Sequence, residues 1–370
     1  MNNKIEKRKI NLDILRILSM IMIVTWHFLG HGQIMNNLEF GTARYYVAWV
    51  LESISLISVN IFFLISGYFL VDSKFKISKV IKLILEITFY TVTIYLLFCI
   101  FGIIKFSFLD FIKMCIPFFT NQYWFMTKYI LLYLLFPYIN KLINSLNKNE
   151  FKQLCILLIF LGCIINPILR FFNGKTFNLI SIDIKWFIIL YIIGAYFKKY
   201  NVQIPIKKLV NTFVLFFIIL FSSKVIPELL YNVGIKKDIL LNTQKLFYNN
   251  SSIFTLFMSV DMFLIFESIH IKTNKFDKVI FNIAQLVFGV YLIHDNRIIR
   301  NFLWGIVKPV EIWNSKYFLI KSFIVILSVF FMCICIEYIR KKIFEVLKFY
   351  VLVDKIEKKI CNKNRKEDYE

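Results

Sequence analysis

Long apolar stretches separated by short polar segments set the pattern of this chain. A membrane-spanning helix needs about 20 mostly apolar residues. Ten stretches approach that length: 11–31, 47–71, 81–104, 122–142, 152–171, 185–200, 207–224, 251–269, 279–300 and 317–338. In hydrocarbon every backbone polar group must be bonded within the protein, which makes helices the spanning element. The expected fold class is all-α, a polytopic membrane protein of about ten transmembrane helices. Residues 1–338 read as one membrane domain and 339–370 as a basic cytoplasmic tail. The loops are short, so no extracytoplasmic domain is expected, and no inverted repeat of the transporter kind stands out. The first apolar stretch follows Lys4, Lys7, Arg8 and Lys9, as in a signal peptide. It carries Asp13, Arg16 and His27 and lacks a small-residue cleavage site, so it reads as a retained span.

Composition sharpens this picture. Of 370 residues 59% are hydrophobic and 18% charged, with 42 Phe, 19 Tyr and 6 Trp. A soluble chain is closer to roughly half apolar and a quarter charged. The departure excludes a soluble enzyme, a disulfide scaffold and a disordered chain. Seven cysteines (Cys99, Cys115, Cys155, Cys163, Cys333, Cys335 and Cys361) form no CxxC pair and sit mostly in apolar runs. They read as small hydrophobes, with no disulfide framework and no zinc site.

The net charge of +22 does not point to nucleic acid, because Lys and Arg collect in the cytoplasmic loops of membrane proteins. With the N-terminus inside, the cytoplasmic segments are 1–10, 72–80, 143–151, 198–208, 270–278 and 339–370. They hold Lys74, Lys76, Lys79, Lys198, Lys199, Lys207 and Lys208, and ten more basic residues between Arg340 and Lys366. The outer loops carry far fewer, chiefly Arg44, Lys105, Lys113, Lys175, Lys236, Lys237 and Lys245. Ten spans then return both termini to the cytoplasm, and the tail lies along the anionic inner leaflet.

Ionisable side chains inside hydrocarbon are expensive and mark function. The first span, NLDILRILSMIMIVTWHFLGHG, holds Asp13, Arg16, His27 and His31. Arg16 and His27 are eleven positions apart, which on a helix is three turns plus roughly 20°, about 16 Å along the axis. Asp13 stands one turn before Arg16, in pairing position, and His31 one turn beyond His27. One polar stripe thus runs from near the cytoplasmic surface into the outer half. His27 and His31 have the i, i+4 spacing of two metal ligands, but no third ligand stands out, so no metal site is expected. The second span contains Asn60, Ser66 and Gly67, small or polar residues that let helices approach closely. The fourth opens on Tyr123 and Trp124, suited to an outer aromatic belt, with Lys128 one turn deeper and Pro137 placed to kink the inner end. Glu52, Glu86, Asp261 and Glu267 lie within or at the ends of spans, and Glu86 or Asp261 is a candidate partner for Lys128 or Arg170. The ninth span ends on His294, Asp295 and Asn296, and His270 lies in a cytoplasmic loop.

These residues resemble the integral-membrane acyltransferase family three, mostly bacterial O-acyltransferases of surface polysaccharides. The family's first helix carries Asp, Arg three residues later, and His after ten more, as Asp13, Arg16 and His27 do here. Its second helix matches Asn60, Phe62, Phe63, Ser66, Gly67 and Tyr68; its fourth matches Trp124, Phe125, Tyr133 and Pro137; its late signature matches Tyr291, Leu292, Ile293 and His294. Many members carry paired arginines after the second helix, where this chain has Lys74, Lys76, Lys79 and Lys82. Lysine keeps the charge and loses the bidentate fork.

The resemblance implies a multi-pass enzyme of a bacterial cell (plasma) membrane. It would transfer an acyl group, acetyl in the first instance, from cytoplasmic acyl-CoA to a hydroxyl of an extracytoplasmic polysaccharide or lipid-linked glycan. Acyl-CoA, acetyl-CoA above all, is then a co-substrate, and no permanently bound cofactor is expected. The residue assignment that follows has His27 as general base or transient acyl carrier, Arg16 holding the donor and Asp13 orienting Arg16. Lys74, Lys76, Lys79 and Ser66 would bind the donor; Trp124, Tyr123, Lys128 and His294 would bind the acceptor. The alternative is a transporter or flippase of a lipid-linked glycan, which needs no histidine on its first helix. A glycan polymerase would be expected to carry a large outer loop.

Overall fold

A computed structural model describes residues 10–120, 122–165, 184–235, 247–269, 271, 275–355 and 357. Lys4, Lys7, Arg8, Lys9, Arg170, Lys175, Lys236, Lys237, Lys245, His270, Cys361 and the tail 358–370 lie outside the described residues. Every regular element among those described is helical. The all-α reading therefore holds.

The first helix, α1 (Ile10–Gly30), is 21 residues without an internal proline or glycine. α2 (Ala43–Ser55) starts where the Thr42 side chain accepts from the Tyr45 N–H, satisfying one of the orphan donors of a helix start. α3 (Ser58–Leu70) follows after a break at Leu56 and Ile57. α4 (Ile77–Ile100) leads to a short surface helix α5 (Phe108–Cys115), capped by Ser107. α6 (Trp124–Ser145) and α7 (Lys148–Ile159) are separated by a capping box in which Asn147 and Glu150 bond each other's backbone. α7 runs into a π-helical turn, Phe160–Ile165. Then come α8 (Ile184–Tyr200), α9 (Ile206–Asn232), α10 (Ile253–Ser268), α11 (Asp277–His294), α12 (Arg297–Val307), α13 (Pro309–Trp313) and α14 (Phe318–Val346).

Among the described residues six helices are long and apolar enough to cross a bilayer: α1, Ala43–Leu70 taken through its break, α4, α9, α11 and α14. The other four expected spans correspond to helices as well. α6 is long but carries Thr127, Lys128, Asn140, Lys141 and Asn144. α7, α8 and α10 are regular α-helix for only 12, 17 and 16 residues. The helices α5, α12 and α13 were not anticipated. α9 and α14 also extend past the spans expected for them, which were 207–224 and 317–338.

The chain forms two compact units. One comprises Met1–Ser73 and Tyr138–Gln285, the other Lys74–Pro137 and Leu286–Glu370. In the first unit α3 crosses α8 at two glycines. A Cβ built on Gly67 would run into the Tyr191 carbonyl, and one built on Gly194 into the Leu64 carbonyl. The backbones therefore touch, and Phe63 stacks on Phe187 with centroids 3.8 Å apart. Asn60 is the polar hub of this core. Its Nδ2 donates to the Asn250 carbonyl (2.8 Å) and Ser259 (3.2 Å), and its Oδ1 accepts from the Trp186 indole (3.0 Å). Fully satisfied and fully buried, it fits the rule that interior amides are bonded. Asn11 caps the far end of α10 by donating to the carbonyls of Phe266, Glu267 and Ile269.

In the second unit the buried charge is Arg340 of α14. Its guanidinium bonds both carboxylate oxygens of Glu337, reaches Glu86 of α4 at 3.1 Å and donates to the Tyr350 hydroxyl at 2.6 Å. Tyr90 donates to Glu337 as well. Gly289 leaves room for this carboxylate, since a Cβ there would overlap it. Two expectations are corrected here. Glu86 pairs with Arg340 of α14, which was not among its expected partners; Arg170 lies outside the described residues. Arg340, counted with the basic tail, is a buried residue of α14 (side chain 4% exposed). Buried charges must be paired, and these two are paired across 254 residues of sequence.

Candidate functional site

α1 carries the first cluster. It is one uninterrupted helix, so Asp13, Arg16 and His27 share a face as their spacing predicts. Arg16 donates to Asp13 at 3.3 Å; the Asp13 side chain is nearly buried and that of Arg16 is 30% exposed. The guanidinium also lies 5.0 Å from the ring centre of Phe69, in the same unit. Asp13 thus holds one end of the guanidinium of a side chain that is only partly buried. His27 is half-buried, and its ring lies 4.7 Å from that of His31. The His31 N–H donates to the His27 carbonyl at 2.8 Å, continuing the helical path past Gly30. The polar stripe expected from the sequence is therefore present in three dimensions.

Sequence reasoning did not place Glu52 in this cluster. Glu52, on α2, accepts the Trp26 indole N–H at 2.6 Å, and the Trp26 ring is near-parallel to that of its neighbour His27 (centroids 6.0 Å, planes 23° apart). The second Glu52 oxygen is buried and bonded to none of the described residues. Beside it on α2, Ser53 shares a hydrogen bond with Tyr248 at 2.9 Å. Lys224 of α9 lies 4.2 Å over the Trp49 ring and pairs with Glu228. The available signal was only that Glu52 is ionisable and lies in a span; its partner is 26 residues away.

The donor-side candidates divide. Ser66 is partly buried and donates to the Phe62 carbonyl at 2.8 Å, within its own helix. Lys74, Lys76 and Lys79 are exposed on the approach to α4 and in its first turn, with Lys79 5.9 Å from the Tyr133 ring. Lys82 is engaged with Asp354 at 2.6 Å. Nearby, the Ser78 hydroxyl donates to Glu357 at 2.7 Å.

The acceptor-side candidates gather in the second unit. Trp124 and Lys128 open α6, one turn apart and partly exposed. Tyr123 departs from its expected role. Its ring is 1% exposed; its hydroxyl donates to the Leu292 carbonyl (2.6 Å) and accepts from Asn296 (2.9 Å). A buried phenol with both bonds filled pins α6 to the end of α11 and leaves no exposed face for stacking. His294 is completely buried, with Nδ1 2.5 Å from the Val290 carbonyl. A carbonyl only accepts, so the proton sits on Nδ1. Tyr291 packs against Tyr123 and Phe125 at centroid distances of 5.7 and 5.5 Å. The aromatic opening of α6 and the late Tyr291–His294 segment therefore form one corner.

The model of the acyltransferase domain of acyltransferase family three matches residues 9–339, nine-tenths of the chain. No curated protein and no solved structure matches the chain significantly. The chain belongs to this family of membrane acyltransferases.

Proposed function

We propose, from membership in that family, that this membrane acyltransferase takes an acyl group, acetyl in the first instance, from cytoplasmic acyl-CoA. It transfers that group to a hydroxyl of an extracytoplasmic polysaccharide or lipid-linked glycan. The single observation that carries the reading is the α1 stripe, an Asp13-anchored Arg16 on the same helix face as His27. The two lie about 16 Å apart along the helix.

A sugar hydroxyl is a weak nucleophile and needs a base, and imidazole is suited to that task near neutral pH. In this scheme His27 removes the hydroxyl proton as the oxygen attacks the thioester carbonyl. The C–S bond then breaks, CoA leaves as the thiolate and takes up the proton, and the ester remains on the acceptor. Arg16 holds an anionic or carbonyl part of the donor, with Asp13 holding Arg16. The exposed Lys74, Lys76 and Lys79 attract the CoA phosphates. Ser66 adds to the donor contacts, while Trp124, Lys128 and His294 serve the acceptor side. The membrane is the bacterial plasma membrane, entered with the N-terminus inside, so that His27 near the outward end of α1 faces the acceptor's side.

The test is release of CoA from acetyl-CoA by the purified full chain, with mass spectrometry of the acyl content of the surface glycan in cells. His27→Ala is expected to lower both by at least about 100-fold. Wild-type turnover with an unchanged His27→Ala rate would remove His27 from the chemistry. No turnover and no acetyl-CoA binding by a folded sample would count against the acetyl donor.

A further inference from the structure

Glu52 is a carboxyl group within a membrane span, and the assignments above leave it without a task. Ionisable groups within a span are expensive and mark function. Its surroundings are specific. One oxygen holds the Trp26 N–H at 2.6 Å, and the other is buried without a bond to any described residue. Trp26 precedes His27 directly, and the two rings lie near-parallel with centroids 6.0 Å apart. The His27 ring also meets the His31 ring, with centroids 4.7 Å apart. The imidazole is thus bounded on one side by an indole whose own rotation is fixed from α2.

We propose that Glu52 is a positioning residue, fixing the Trp26 indole so that it sets the orientation of the His27 imidazole. The inference rests on the reading of His27 as the reactive group. Reacting groups must be held within a fraction of an ångström, and a misplacement of about 1 Å costs on the order of 100-fold in rate.

The experiment compares the wild-type full chain with Glu52→Ala, Glu52→Gln and Trp26→Phe in detergent. The first readout is the rate of His27 modification by diethyl pyrocarbonate, followed by peptide mass spectrometry without substrate. The second is kcat and KM for acetyl-CoA. Glu52→Ala and Trp26→Phe are expected to change the His27 modification rate at least about 3-fold. They should lower kcat by about 10- to 100-fold with the KM for acetyl-CoA little changed. Glu52→Gln keeps an acceptor oxygen for the indole and is expected to stay close to wild type in both. An unaltered His27 modification rate in Trp26→Phe would overturn the proposal, as would a Glu52→Gln variant as perturbed as Glu52→Ala. If Glu52→Ala does not fold, Trp26→Phe carries the test, because it retains an aromatic ring while losing the N–H that Glu52 holds together with part of the indole face beside His27. Absence of turnover in the wild-type chain would count against the proposed reaction, and the modification rates would still decide the role of Glu52.

Discussion

At the scale of single residues, the largest structural stake is the buried charge of Arg340. It has Glu337 and Glu86 as counter-charges and the Tyr350 hydroxyl as a further acceptor. Removing one member of a buried pair strands the other in a medium that cannot solvate it, at a cost of about 3–5 kcal/mol. Arg340→Ala is therefore expected to lower the melting temperature of the purified protein sharply, and Arg340→Lys to restore little. An ammonium is one compact charge and cannot replace a planar fork that reaches three partners. Equal stability of Arg340→Lys and wild type would show that charge alone suffices. The contrast with Asp13 and Arg16 shows what the sequence made readable. That pair lies one helical turn apart, so spacing alone exposed it. Glu86 and Arg340 were both visible as ionisable residues, but nothing in their local sequence indicates a partner on another helix.

At the scale of elements, apolar length located the long helices but was blind to their contacts and to the short helices. α5 and α12 are amphipathic pieces of 8 and 11 residues between spans, with too few apolar residues in a row to register as crossings. Asn60, Ser66 and Gly67 were legible as a set of small and polar residues in an apolar run. Their division of labour was not: Asn60 is a core hub, Ser66 bonds its own helix, and Gly67 is the contact point with α8. The reciprocal glycine contact gives a testable consequence. Any side chain at Gly67 meets backbone, which cannot rotate away, so α3 and α8 must separate. Gly67→Ala is expected to cost about 2 kcal/mol or more of stability, read as a lower melting temperature. Gly30→Ala, where a Cβ meets nothing within 4 Å, is the matched control and is expected to be silent. Should Gly67→Ala prove as stable as Gly30→Ala, the close approach of the two helices would be wrong.

At the scale of the whole molecule, the distribution of charge is the feature that the sequence displayed most openly, and it predicts how the chain lies in the bilayer. Lys74, Lys76, Lys79, Lys198, Lys199, Lys207 and Lys208 fall in segments that ten alternating spans put on one side, and short basic loops resist translocation. α2 and α3 bear on this count: they break at Leu56 and Ile57 yet together make one apolar length, Ala43–Leu70. Reading them as two crossings would put the exposed Lys74 and Lys76 on the other side from Lys198 and Lys199 and undo the asymmetry. One crossing keeps these lysines together and puts α5 outside. Single cysteines placed in a cysteine-free background test this directly with a membrane-impermeant maleimide on intact cells. Residues such as Lys113 of α5 are expected to label from outside, and Lys76, Lys148 and Lys207 only after lysis. Labelling of Lys76→Cys in intact cells would mean that Ala43–Leu70 does not cross once. The donor could not then meet the lysines before α4 from the cytoplasm, and the proposed path of the acyl group would have to be redrawn.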